Sequence, residues 1–114
     1  MLLYSLVLLA AISIGAYAIT AGHVDSGGWV HDWDGKVYRV DVLDIVIEPN
    51  AATSTLASLD TAFGVHVMGG RNSAGLYWVS TNTRTRQQLW TLRKEISTYP
   101  GVSDVIFDYA PTLN

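Results

Sequence analysis

The sequence predicts an α+β domain, a four-stranded antiparallel sheet with two helices on one face, preceded by an apolar N-terminal helix. Three observations carry this. Apolar residues alternate with period two in "VYRVDVLDIVIEP" and "VSDVIFDYA", the pattern of half-buried strands. They recur at spacings of three and four in "AATSTLASLDTAFG" and "TRQQLWTLRKEIS", the pattern of amphipathic helices. Turn formers (Pro49-Asn50, Gly64, "GGRNSAG" and Pro100-Gly101) stand between these segments. The chain's 114 residues, 49% hydrophobic and 15% charged, suit one globular domain rather than a disordered segment.

Residues 1–22, "MLLYSLVLLAAISIGAYAITAG", hold no charged side chain. Two readings of this segment stand. Leu2 to Ile14 fit the apolar core of a secretory signal, with Ala16-Tyr17-Ala18 as the small residues before a cleavage site. Alternatively, about 20 residues at roughly 1.5 Å each reach across the hydrocarbon layer as an uncleaved membrane anchor. Asp25, Asp32 and Asp34 follow, and no Lys or Arg precedes Lys36. Under the positive-inside tendency both readings place the domain outside the cytoplasm, secreted or anchored.

Residues 23–36, "HVDSGGWVHDWDGK", read as a polar linker ending in an Asp34-Gly35 turn. His23, Asp25, His31, Asp32 and Asp34 concentrate possible metal ligands, and "DWDG" echoes the start of a calcium loop. The rest of that loop, including its distal glutamate, is missing, so the aspartates read as caps and turn formers and no metal is assigned. Trp29 and Trp33 precede the first firm strand, where they suit a partner or a membrane interface.

From Val37 the alternation sets Tyr38, Val40 and Val42 on one face and Arg39 and Asp41 on the other. After Val42 the parity slips to Leu43, Ile45 and Ile47, which predicts a bulge or break near Val42-Leu43. Pro49 and Asn50 stop the strand and offer a helix cap. Ala52, Leu56, Leu59 and Phe63 form the inner stripe of a helix ended by Gly64. "VHVM" is a short strand, "GGRNSAG" a loop and "LYWVST" another strand. Asn82 or Thr83 caps a second helix with Leu89, Leu92, Ile96 and Tyr99 inward and Arg84, Arg86, Arg93 and Lys94 on its solvated side. The last strand sets Val105, Phe107 and Tyr109 against Asp104, Ile106 and Asp108. Over residues 37–114 the order is βαββαβ, the ferredoxin-like split arrangement, whose second sheet face is left for a partner to cover.

A net charge of −3 without a Lys/Arg cluster argues against nucleic acid, which needs a basic stripe. Without cysteine there is no thiolate nucleophile, disulfide or Cys-based zinc site. His23 and His31 fall in the linker and His66 inside a strand, so no nucleophile–base pair is suggested; the chain reads as a non-enzyme with no cofactor. His66 reads as a solvent-side histidine, the competing role being a titrating group at a partner contact. Trp78 and Trp90 suit core or core-edge positions.

The stretch from Val37 to Asn114 resembles the propeptide domain of subtilisin-like serine proteases and the free-standing inhibitors of that family. "DIVIEP", "AGLYWVST", "TRQQLWTLRKEIS" and above all "YPGVSDVIFDY" carry the likeness. Pro100, Gly101, Val102, Val105 and Asp108 match the family's closing turn and strand, whereas Ile106 and Phe107 stand where the family usually has a Glu-Glu or Glu-Pro pair. The resemblance implies that Ala110, Pro111, Thr112, Leu113 and Asn114 lie as a product-like strand in a protease cleft, Asn114 in the first specificity pocket. It implies docking through Ile106, Phe107 and Asp108. It also implies action in trans, as inhibitor or folding chaperone of a subtilisin-like protease. The alternative is a secreted or membrane-anchored interaction module that uses the same fold without a protease.

Overall fold

The computed structural model describes residues 22–71 and 74–111. The signal-or-anchor reading of residues 1–22 falls almost wholly outside these residues. Among the described residues no helix is long and apolar enough to cross a membrane. The elements are β1 (Trp29–His31), β2 (Val37–Ile47), a 3-10 turn (Pro49–Ala51), α1 (Ala52–Phe63), β3 (His66–Arg71), β4 (Leu76–Ser80), α2 (Arg86–Ser97) and β5 (Val102–Tyr109).

All strand pairings are antiparallel, and β2 is the central strand. Tyr38 pairs with both Val30 of β1 and Tyr109 of β5, and Leu43 with both Val79 of β4 and Phe107 of β5. Hence β5 holds one edge of β2, while β1 and β4 share the other end to end. Beyond β4 lies β3, so the four expected strands run β5-β2-β4-β3. This order is compatible with the ferredoxin-like arrangement.

The parity slip in β2 is a structural feature. Tyr38 and Val40 are buried, then Leu43, Ile45 and Ile47, and the β2–β5 register shifts between Tyr38 and Leu43. The irregularity lets one long strand keep apolar residues inward along its whole length. Those residues form one core with Val79, Val105 and Phe107 from the sheet, Leu59 from α1, and Leu89 and Ile96 from α2. Both helices therefore pack on the same sheet face.

The caps differ from expectation. Neither Pro49 nor Asn50 caps α1, which starts from the 3-10 turn with no side-chain cap bond. At its other end Gly64 takes a left-handed φ of 68° and its N–H reaches Asp60 O at 2.8 Å, as expected for a glycine stop. The N-cap of α2 is Thr85, whose Oγ1 accepts from Gln88 N at 3.2 Å. Thr83 is otherwise engaged, donating to Val40 O at 2.7 Å.

Residues 23–36 also differ from the expected polar linker, because β1 lies within them and Val30 is fully buried. The Asp34-Gly35 turn forms, with Gly35 at φ 82° and its N–H on Asp32 O at 3.1 Å. That turn folds β1 back onto β2. A three-residue strand then suffices, since Val30 alone supplies the inward apolar residue.

Candidate functional site: the chain terminus and the uncovered sheet face

The face of the sheet opposite the helices is set by the second parity of its strands. On β2 it carries Val42, Asp44 and Val46; on β4, Leu76, Trp78 and Ser80; on β5, Ile106 and Asp108. The Trp78 ring lies across Gly69 of β3, where an added methyl would sit 3.2 Å from it. Ile106 is 38% exposed. Asp44 occupies the centre, in register with Trp78 on one side and Ile106 on the other.

Of the three expected docking residues, Ile106 and Asp108 lie on this face and Phe107 does not. Phe107 is buried on the helix side, stacked on Tyr38 with ring centroids 4.5 Å apart, 4.9 Å from the Trp90 ring and beneath the Arg93 guanidinium. The reason is the period of two: a strand cannot present three consecutive side chains to one face.

At the tail, Tyr109 ends β5 and Ala110 N–H donates to Val37 O at 2.8 Å, so the chain stays along β2 for one residue more. Pro111 follows, exposed, at a position where no strand N–H is required. Thr112, Leu113 and Asn114 lie outside the described residues. A surface cavity of about 550 Å³ opens between the Asp34–Val37 turn and Tyr109–Pro111, with the Lys36 ammonium 5.6 Å from the Tyr109 ring centroid.

The N-terminal segment is fixed beside this cavity by a polar clasp. Asp32 accepts from Arg86 Nε at 3.1 Å and from its second guanidinium nitrogen at 3.3 Å, and from Tyr38 Oη at 2.9 Å. Tyr38 Oη in turn accepts from Trp90 Nε1 at 2.7 Å, and Arg86 lies over the Trp90 ring at 4.4 Å. Burial alone would raise the Asp32 carboxyl, but the Trp33 amide, Arg86 and Tyr38 together hold it below its usual range. Burial, with the Asp32 carboxylate beside it, pushes the Tyr38 hydroxyl up to about 12.

His23, Asp25 and His31 are joined within one loop. His31 Nε2 donates to Asp25 at 2.8 Å, and the Gly27 and Trp29 amides donate to the same carboxylate. These bonds, the one from His31 first, hold the Asp25 carboxyl below its usual range. His23 stacks on His31 at 5.0 Å. Among the described residues no three His, Asp or Glu side chains form a group that could hold a metal ion. His66 is exposed on the β3 edge, 3.4 Å from Asp60. Trp29 packs under Arg39, and Trp33 is 58% exposed.

Sequence reasoning missed the clasp and the role of Asp44. Asp32 was legible as a turn former, but its partner Arg86 is 54 residues away. An aspartate inside an alternating apolar run is the signal that marks Asp44. Comparison with protein-family models, curated proteins and solved structures returns no match for this chain.

Proposed function

We propose that this chain acts in trans on a subtilisin-like serine protease outside the cytoplasm, as an inhibitor or folding chaperone. The uncovered sheet face, through Ile106 and Asp108, meets the protease surface. Residues Ala110–Asn114 lie in its substrate cleft by strand addition, with Asn114 in the first specificity pocket and Thr112 and Leu113 along the strand. The observation that carries this reading is the exit of the chain. Among the described residues β5 is an edge strand that pairs through Ala110, and an exposed Pro111 follows beside the sheet face that neither α1 nor α2 covers. Residues 1–22 serve as the export signal or the anchor.

A second reading, an interaction module that needs no protease, is favoured by the folded N-terminal hairpin. It adds β1 and the exposed Trp33 to a domain that the resemblance begins only at Val37.

The test is protection of a catalytic serine. A panel of subtilisin-like proteases is treated with a fluorophosphonate probe, with and without the full chain. Blocked labelling of at least one protease is expected. Unchanged labelling throughout overturns cleft occupation and leaves the second reading.

A further inference from the structure

Asp44 is the acid between Val42 and Val46 on the sheet face opposite α1 and α2. It stands mid-way along the central strand, and its Oδ1 is buried without a hydrogen-bond partner among the described residues. An ionised carboxylate so placed loses hydration and gains no donor in return. Asp108 of β5 is the diagonal neighbour on the same face, two residues beyond Ile106, and its carboxyl is the titratable group that acts on Asp44. Two carboxyls can bond each other only if one of them carries a proton.

Among the described residues no ion pair or hydrogen bond gives Asp44 a cation. β4 presents Leu76, Trp78 and Ser80. β5 adds Asp104, one step along in register opposite Val46. β2 adds Asp41, already held by Arg39 at 3.1 Å. On β3, His66 is opposite Ser80 and beside Asp60, and Arg71 takes the register position opposite Leu76, with β4 and β2 between it and β5. Burial first, then the charge and hydrogen bond of Asp108, push the Asp44 carboxyl up to about 6.

We propose that in mildly acidic surroundings the folded protein holds a proton on Asp44, shared with Asp108, so that this pair is a proton switch at the centre of the sheet face opposite α1 and α2. In mildly acidic surroundings the pair is a hydrogen-bonded monoanion among Val42, Val46, Trp78 and Ile106. Towards neutral pH it becomes two repelling carboxylates.

The experiment is a carboxyl ¹³C titration of the full chain labelled at aspartate, with Asp44→Asn assigning the resonance. It is paired with urea unfolding midpoints at pH 5 and pH 7 for the parent, Asp44→Asn and Asp108→Asn. One aspartate titrating near pH 6 is expected, absent in Asp44→Asn and moved toward the ordinary range in Asp108→Asn. The parent midpoint falls from pH 5 to pH 7, and Asp44→Asn removes that part of the fall. Groups outside the pair contribute equally to parent and variant, so the difference reads the Asp44–Asp108 pair. Every aspartate titrating below about 4.5, within the ordinary spread, overturns the inference. An unchanged pH dependence in Asp44→Asn does so equally. Because the parent's own titration is decisive, a variant that fails to fold does not rescue the idea.

Discussion

Replacing Asp32 with alanine removes the acceptor at the centre of the clasp that ties the β1–β2 turn to α2. Arg86 loses two charge-assisted bonds and Tyr38 loses the acceptor of its hydroxyl proton. Bonds to charged groups are worth about 1.5–3 kcal/mol each. The Asp32 side chain is only 9% exposed, which keeps solvent from replacing them, whereas Arg86 at 28% recovers part of its hydration. The net loss is about 3 kcal/mol, and Arg86→Ala in the same background loses about 1.5 kcal/mol less than in the parent, because its partner is already gone. Equilibrium urea unfolding of the full chain, the two single variants and the double variant measures both quantities. A loss below about 0.5 kcal/mol with additive single effects, the surface-substitution range, would refute the claim that residues 22–36 are part of the folded unit. The pH sign follows from the depressed carboxyl. Stability from Asp32 is present above its unfolded value of 3.8 and is lost as pH falls through the lower folded value, so the variant differs least from the parent in strong acid.

Asp44 has the opposite sign. Its carboxyl is raised from 3.8 to about 6, so its contribution is full below 3.8 and is lost as pH rises through about 6. At 1.36 kcal/mol per pH unit this is about 3 kcal/mol, reduced to about 1–2 kcal/mol by partial solvent exposure. Asp44→Asn therefore stabilises by that amount at pH 7.5 and is neutral near pH 3.5, read by unfolding at the two values. Phe107→Ala costs about 3–5 kcal/mol by opening a cavity between Tyr38 and Trp90, while Ile106→Ala costs under about 1 kcal/mol. Equal losses for the two would contradict the face assignment of β5. Gly101→Ala costs at least about 2 kcal/mol, because φ is 88° and an added Cβ would collide with Thr55 Oγ1 of α1; a thermal melt unchanged within error would contradict that packing.

Much of the sheet was legible because its signals are local. The parity slip at Val42-Leu43 announced the irregularity in β2, since a side-chain period of two allows no other way to keep both apolar sets inward. The stripes Leu56-Leu59-Phe63 and Leu89-Leu92-Ile96 gave the helices for the same reason. β1 escaped because three residues among Gly and Asp carry no periodicity, although an Asp-Gly turn followed by a strand is half of a hairpin signal and asks what precedes it. The cap of α2, expected at Asn82 or Thr83, lies two or three residues further on because Thr83 and Thr85 are chemically equivalent, and Thr83 is engaged by the backbone carbonyl of Val40, 43 residues distant, and by the Thr81 hydroxyl. The site was less legible still. Alternation already put Phe107 with Val105 on the core side, so the docking trio conflicted with the strand's own pattern. The meeting of Asp44 and Asp108 needs the β2–β5 register, which no local pattern encodes.

The central claim, that the tail leaving β5 fills a protease cleft, is tested most directly by the inhibition constant of the full chain beside that of the same chain ending at Tyr109. The account expects inhibition of at least one subtilisin-like protease and a loss of at least about a hundredfold on truncation, equivalent to about 2.7 kcal/mol. Equal constants for the two chains, or no inhibition by either across the panel, would contradict it.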